Sequence, residues 1–346
     1  MARPFKSPAA LFLAVSLASC MPFPLQGEAA LARLAFGSCV SQERAQPITA
    51  AVEAFRPDLF VFLGDNVYGD VADGTVDNLR RAYEVQAQNA DFARLLAAPR
   101  FVAIWDDHDF GVNDGGGDFA LKRQSEALFF DFWSVRADDP RRTRDGLYAS
   151  YSFGPAGKRV QVVLLDTRYF RSPLRRTDEK DAKGKERYLP DASPDKTMLG
   201  AAQWDWLEET LRAPADLRIL ASSIQVVAEG HGYERWGNLP RERERLYRLL
   251  ASSSDTPTIA ISGDRHFAAL YRVPLGQGRS LLEATSSGLN QTWATAAERD
   301  PRQLGPVYGK ENFGTIEIDW QARRATVAIR DIDGTPVRAE TLAFGD

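Results

Sequence analysis

Cysteine is scarce in this sequence of 346 residues, which has only Cys20 and Cys39. A basic excess is also lacking, because the formal net charge at pH 7 is −4. Without a basic surface, the composition gives no support to a nucleic-acid partner. The hydrophobic share of 44% and the charged share of 26% are typical of a soluble globular protein with a sizeable core.

The N-terminus lacks an apolar run long enough to cross a bilayer. Arg3 and Lys6 precede a short apolar stretch at residues 8–17, well below the roughly 20 residues that a stable spanning helix needs. A basic start followed by a short apolar segment is typical of a secretory signal peptide. We therefore expect an exported protein.

The segment ends in Leu17-Ala18-Ser19-Cys20, which resembles a bacterial lipobox. The resemblance predicts a signal peptide over residues 1–20 and a lipid anchor on Cys20, so that the protein is a periplasmic or outer-membrane lipoprotein. The alternative is ordinary cleavage after Ala30-Leu31-Ala32, which would release a soluble periplasmic protein. With lipid on Cys20, Cys39 has no disulfide partner, and a lone thiol in an oxidising compartment is a liability unless it is buried or metal-bound.

Short apolar runs rich in β-branched and aromatic residues alternate with segments of helical periodicity. Continuous apolar runs suit strands that are covered on both faces, as in α/β layers. The predicted strands are residues 34–36, 59–63, 101–105, 160–165, 219–221 and 258–261. The predicted helices are residues 47–55, 76–96, 200–211 and 240–250, the last with Asn238 as its cap.

The C-terminal part of the chain has a different pattern. Residues 314–320 and 325–330 alternate between apolar and polar side chains, which predicts an antiparallel hairpin. Residues 173–196 carry many charges and few apolar side chains, which predicts an exposed excursion. The simplest division is therefore one domain over residues 31–346, an α/β domain with its sheets sandwiched between helices.

Four of the predicted strands end in polar residues that can bind metal ions. Because ligands of α/β sheets bind beyond the carboxyl ends of the strands, these endings point toward one crevice. The endings are Phe36-Gly37-Ser38-Cys39, Gly64-Asp65-Asn66-Val67-Tyr68, Asp106-Asp107-His108-Asp109 and Ser262-Gly263-Asp264-Arg265-His266.

With these endings the chain resembles the alkaline phosphatase D (PhoD-like) family of calcineurin-like metallophosphoesterases. The likeness runs from Ala35 to about Asn290. It also includes residues 57–68, 104–111, 164–170, 198–207, 222–225 and 286–288. The resemblance implies a four-layer α-β-β-α sandwich and a site that binds Fe³⁺ together with Ca²⁺.

The resemblance also implies roles for individual residues. Asp65 matches the carboxylate that bridges two cations and holds a hydroxide between them, so it is both a ligand and a catalytic residue. Cys39 matches a thiolate ligand, and Tyr68 matches a phenolate ligand. The full set of implied metal ligands is Cys39, Asp65, Tyr68, Asp107, Asp264 and His266.

His108 falls where the resemblance implies a general acid or a phosphate contact. A histidine suits protonation of a leaving group because its pKa lies close to the working pH. Asp109 is then either a carboxylate that orients this imidazole or a further ligand. Without the resemblance, Asp106–Asp109 would be a solvated acidic turn.

Arg168 and Arg265 are candidates for substrate binding, because guanidinium groups bind phosphate in a forked geometry. Structural ion pairing is the alternative for both arginines. Gln225 lies where the wider superfamily has a histidine ligand, which favours iron and calcium over a dinuclear zinc site. His231 is either on the rim of the substrate site or an ordinary surface histidine.

These features together predict a metal-dependent phosphoesterase that hydrolyses small organophosphate esters by attack of a metal-bound hydroxide. One alternative is a phospholipase D-like phosphodiesterase that acts on lipid head groups. The other is a non-catalytic, metal-stabilised envelope lipoprotein, which would have a closed coordination sphere with no position for water or substrate.

Overall fold

The computed structural model describes residues 29–253 and 255–344. The predicted signal peptide and the lipobox with Cys20 lie outside the described residues. Within the described ranges, no helix combines the length and the apolar character needed to cross a membrane.

The first large sheet is mixed and has six strands. They are β1 (Arg33–Gly37), β2 (Leu59–Leu63), β3 (Phe101–Ile104), β12 (Phe313–Asp319), β13 (Arg324–Arg330) and β14 (Pro336–Ala343). Their order is β14-β13-β12-β1-β2-β3, in which β1, β2 and β3 are parallel and the other pairs are antiparallel. The hairpin predicted at the C-terminal end is thereby confirmed as β12 and β13.

The second large sheet also has six strands. They are β4 (Ala149–Phe153), β5 (Val160–Leu164), β8 (Leu217–Ser222), β9 (Thr258–Ser262), β10 (Ala268–Gly276) and β11 (Arg279–Ser286). Their order is β10-β11-β9-β8-β5-β4, with a parallel centre and an antiparallel strand at each edge. A small hairpin of β6 (Arg175–Arg176) and β7 (Tyr188–Leu189) lies apart from both sheets.

The two sheets pack face to face, and helices cover their outer faces. Leu59, Val61 and Leu63 of β2 belong to the core between the sheets, whereas Phe60 and Phe62 belong to the outer core. Successive side chains of a strand point to opposite faces, so β2 is buried on both. The helices over the first sheet are α1 (Ile48–Phe55), α3 (Ala90–Leu96) and α5 (Lys122–Phe132).

The second sheet is buried in the same way. Leu217 and Ile219 of β8 face the core between the sheets, and Leu220 faces α6 (Gly200–Thr210) and α7 (Pro240–Ser253). The layers are therefore helix, sheet, sheet and helix, which confirms the predicted α-β-β-α sandwich.

Two predictions about helices are wrong. Residues 76–96 form α2 (Asp77–Ala87) and α3 rather than one helix, because the Asn89 side chain accepts the backbone N–H groups of Asp91 and Phe92 and starts a new helix. Asn238 does not cap α7, because its Oδ1 accepts the backbone N–H of Arg235 instead.

Candidate metal centre

The predicted ligands lie on loops that follow strands of both sheets. Cys39 follows β1, Asp65 follows β2, and Asp107 opens the short helix α4 (Asp107–Phe110) after β3. Asp264 and His266 follow β9 in the second sheet. Because the sheets are stacked with these strand ends at the same edge, the two groups of loops meet.

Gly263 allows the loop after β9 to approach the loop after β1 closely. A Cβ on Gly263 would collide with the Oγ of Ser38, the residue before Cys39, so the loop after β9 approaches the loop after β1 only with glycine at this position. The backbone N–H of Gly263 also donates to the carbonyl of Ser223, at 2.9 Å. The loop is thereby fixed within its own sheet while it contacts the other.

Four of the predicted ligands have an uncommon backbone conformation. The φ angles are 62° for Cys39, 48° for Asp65, 70° for Asp264 and 54° for His266. Non-glycine residues in the left-handed region are uncommon and cost on the order of 1–3 kcal/mol each. Such residues cluster where a site requires a particular side-chain direction, so the backbone independently marks these loops as functional.

Cys39, Asp65, Tyr68 and His266 form one side of the cluster. The Sγ of Cys39 lies 3.4 Å from Oδ2 of Asp65, and the hydroxyl of Tyr68 donates to the same oxygen at 3.2 Å. The Tyr68 hydroxyl also lies 3.1 Å from Nε2 of His266. Ligand atoms of Cys39, Asp65 and His266 all lie within 4.8 Å of one another, so these residues can hold one cation.

The other side of the cluster consists mainly of carboxylates. Potential ligand atoms of Asp65, Asp107 and His108 lie within 4.8 Å of one another. The same limit holds for a carboxylate group of Asp106, Asp107 and Asp264. Asp65 therefore belongs to both sides, as a carboxylate that bridges two cations must. A further group of Asp107, Asp114 and Glu234 was not predicted from the sequence.

The acidic donors of the cluster differ in their electrostatics: the positive charges of His108 and Arg168 outweigh burial and lower the pKa of Asp107, whereas the pKa values of three other donors are raised. Burial and the charges of Cys39 and Asp107 raise the pKa of Asp65, and burial with the charges of Asp106 and Asp107 raises that of Asp264. Burial raises the pKa of the Cys39 thiol to about 12. A cation among these groups would favour their ionised forms. The donors fit such ions, with the thiol and phenol on one side and carboxylate oxygens on the other.

His108 is fixed beside the carboxylates. Its Nδ1 lies 2.9 Å from Oδ2 of Asp70, and its backbone N–H donates to Oδ1 of Asp65 at 3.3 Å. Burial lowers the pKa of His108, but the charges of Asp107, Asp65 and Asp70 outweigh burial and raise the pKa to about 11. These carboxylates therefore favour the protonated form of the imidazole.

Asp109 does not orient His108, so that hypothesis is wrong. The Asp109 carboxylate accepts backbone N–H groups of Asp65, Asn66 and Asp106, and therefore ties the loop after β2 to the loop after β3. It is fully buried, as are Asp106 and most of the segment that would otherwise be a solvated turn. Asp70, which was not predicted, binds the imidazole instead.

Of the two arginines proposed to bind substrate, only Arg265 lines the pocket. Arg168 is fully buried, and its guanidinium binds Asp106 at 2.5 Å and Glu234 at 2.6 Å. The prediction of a phosphate contact for Arg168 is therefore corrected to a structural ion pair. Arg265 pairs with Glu298 and lies over the Tyr233 ring, 4.4 Å from its centroid.

The cluster opens into a pocket of about 250 Å³. Predicted residues on its wall are Asp65, Asp107, His108, Asp264, Arg265 and His266, and Cys39 lies buried behind them. Tyr233 and Glu234 on the same wall belong to the loop of His231, for which the resemblance implied a place on the substrate rim. Residues that the sequence did not reveal are Asn113, Asp114, Arg187 and Trp293. Arg187 belongs to the charged excursion, which is mostly exposed as predicted but reaches the pocket where backbone N–H groups of Arg187 and Tyr188 donate to Gly232.

Gln225 and His231 bind each other rather than the metal cluster. Nδ1 of His231 accepts the backbone N–H of Tyr233, so Nε2 carries the proton and donates to Oε1 of Gln225 at 2.8 Å. Burial lowers the pKa of His231 and keeps the ring neutral. His231 is therefore neither a surface histidine nor a residue of the pocket wall.

The family model for PhoD-like phosphatase matches residues 34–327 of the chain. No curated protein gives a significant match. Among solved structures, that of PhoD superposes with a TM-score of 0.70 at 17% identity, over 91% of this chain and 69% of that one. GAP50, described as the anchor in the inner membrane complex of Plasmodium, superposes with a TM-score of 0.56 at 11% identity, over 92% and 90% of the two chains. At such identities these structures establish the shared fold.

Proposed function

This chain belongs to the PhoD-like phosphatase family, and from that premise we propose that it is an exported, metal-dependent enzyme that hydrolyses small organophosphate esters. The observation that carries the proposal is the meeting of a thiol, a phenol, carboxylates and an imidazole from both sheets at an open pocket. A non-catalytic metal site would be closed. The open pocket therefore favours catalysis.

We propose that Cys39 and Tyr68 hold ferric iron together with Asp65 and His266. Asp107, which lies close both to Asp65 and to Asp264, would hold calcium with these two residues on the carboxylate side, because hard cations prefer oxygen ligands. When bound, such a cation pair supplies Lewis acidity at a phosphoryl oxygen and activates water.

The remaining steps belong to side chains of the pocket. Asp70 holds Nδ1 of His108, which leaves Nε2 to donate a proton to the oxygen of the departing alcohol. Arg265 provides positive charge on the pocket wall and binds the phosphate oxygens. Glu298 pairs with this guanidinium and limits its rotation.

Elemental analysis combined with two hydrolysis assays tests the proposal. The protein is purified from the cell envelope without added metal, and its activity is measured on an aryl phosphomonoester and an aryl phosphodiester before and after EDTA treatment. We expect hydrolysis of at least one ester, its loss with EDTA and its recovery with both metals. Metal-replete protein that hydrolyses neither ester would favour a binding or structural role instead.

A further inference from the structure

Tyr233 and Trp293 form an aromatic pair on the wall of the pocket. Their ring centroids are 5.9 Å apart in an edge-to-face arrangement. Every other residue on this wall is charged, a histidine or an asparagine. Among the described residues, only two large hydrophobic side chains are exposed, Trp293 and Ile332, each at 37%. The pair is thus the apolar surface of an otherwise polar pocket.

Backbone hydrogen bonds connect the segment of Trp293 to the loops that carry Cys39 and His266. Its backbone N–H donates to the carbonyl of His266 at 2.6 Å, and two residues earlier the N–H of Gln291 donates to the carbonyl of Cys39 at 3.2 Å. The indole N–H donates to Oγ1 of Thr295, at 2.9 Å. These bonds connect the segment that carries the indole to the loops of His266 and Cys39, one from each sheet, and such support is what a group that contacts substrate requires.

Tyr233 lies close to two cationic side chains. The guanidinium of Arg265 is 4.4 Å from the centroid of its ring, and that of Arg187 is 5.7 Å away. Cations over an aromatic ring fix its orientation and place positive charge next to an apolar face. A substrate with an anionic head and a flat neighbouring group would match both features at once.

We propose that the aromatic pair binds the alcohol part of the ester, and that the enzyme prefers phosphate esters whose alcohol carries a ring with an apolar face. This inference rests on the proposed phosphoesterase function, and it makes Tyr233 and Trp293 specificity residues. Stacking of a ring on an aromatic side chain is sufficient for this preference, because it changes affinity by about 5- to 50-fold.

Binding of phosphonates, which the enzyme cannot hydrolyse, tests the proposal. Calorimetry on the metal-loaded protein gives dissociation constants for phenylphosphonate, cyclohexylphosphonate and methylphosphonate. We expect Trp293→Ala to weaken phenylphosphonate about 5- to 50-fold and methylphosphonate less than about 2-fold, with most of the loss restored in Trp293→Phe. If Trp293→Ala weakens cyclohexylphosphonate as much as phenylphosphonate, the pair also accepts saturated rings such as sugars. If it weakens phenylphosphonate but not cyclohexylphosphonate, the pair selects aromatic rings.

Ile332→Ala is the matched control, because Ile332 has the same exposure and lies outside the pocket. Retained binding of methylphosphonate shows that the Trp293→Ala variant is folded, and Tyr233→Leu provides a second test of the pair. If Trp293→Ala weakens all phosphonates equally, or weakens none, the proposal is wrong. A wild-type protein that binds no phosphonate and hydrolyses no ester would instead overturn the proposed function itself.

Discussion

The imidazole of His108 lines the pocket and has Nδ1 bound to Asp70, so its replacement tests whether catalysis can be separated from metal binding. We expect His108→Ala to lower turnover by roughly 10² to 10⁴-fold, the usual loss for a general acid, and to retain nearly all metal. Stopped assays and elemental analysis of the same preparation measure both quantities.

Asp70→Asn serves as the comparison, because it keeps a hydrogen-bond acceptor but removes the charge beside the imidazole. We expect a smaller loss than in His108→Ala. A His108→Ala variant that is inactive because it has lost metal would recast His108 as a ligand, in line with its proximity to Asp65 and Asp107. An unchanged rate would remove it from the mechanism.

Cys39 is buried beside Asp65, and its thiol is the soft donor of the cluster. If it binds ferric iron together with Tyr68, charge transfer from thiolate and phenolate should colour the purified protein. We expect Cys39→Ser to shift or abolish the visible absorption band while the far-ultraviolet circular dichroism stays unchanged. A colourless, fully active preparation that contains only zinc or magnesium would contradict this assignment and leave Cys39 a structural thiol.

Asn89 divides what the periodicity predicted as one helix. Its side chain satisfies the N–H groups of Asp91 and Phe92 at the start of α3, which covers the first sheet. Asn89→Ala should therefore lower the free energy of unfolding by about 1 kcal/mol, whereas Asn89→Ser should lower it by much less. Urea denaturation measures the free energy of unfolding of both variants and of the wild type. An Asn89→Ala variant as stable as the wild type would show that the cap is dispensable.

Glu126 of α5 accepts the backbone N–H of Gly146, and burial nevertheless raises its pKa from 4.5 to about 7. An acid with a raised pKa in the folded state contributes stability that is lost as the pH rises from about 4.5 through about 7. Glu126→Gln keeps an acceptor without the charge. We expect this variant to gain about 1 to 2 kcal/mol relative to wild type across this range, after allowance for solvent screening.

Urea denaturation at several pH values checks the Glu126 prediction. Glu244→Gln makes the same charge change at an exposed position of α7, so it corrects for the effect of net charge. A stability difference for Glu126→Gln that does not vary with pH would show that Glu126 is ionised equally in both states.

The sequence predicted the central strands and most of the metal cluster because both depend on local patterns. A run such as residues 59–63 is apolar on both faces, and Asp65 and Tyr68 follow it directly. The ion pair of Arg168 with Glu234, and the docking of Arg187 and Trp293 at the pocket, depend on loops far apart in the chain. No periodicity or spacing encodes such contacts, so these residues were missed or given another role.

For the molecule as a whole, the attachment to the membrane is the property that the sequence alone predicts. We propose that Cys20 is lipidated, because it ends a short signal segment in Leu17-Ala18-Ser19-Cys20. Cys20→Ser should move the protein from the membrane to the soluble fraction, as measured by cell fractionation. Cys39→Ser is the control and should leave the protein at the membrane, and a wild-type protein that is soluble and starts at Arg33 would contradict the prediction.

The division of the ligands between the two sheets has a consequence for how the protein matures. Cys39, Asp65, Tyr68 and Asp107 come from the N-terminal part of the chain, whereas Asp264 and His266 come from the loop after β9. Neither half carries the whole set, so loading with metal has to wait until the sheets have docked. Bound ions would then cross-link the two halves of the core. A misassembled chain would lack the complete set of donors, so the metal content of a preparation would report how much of it has folded correctly.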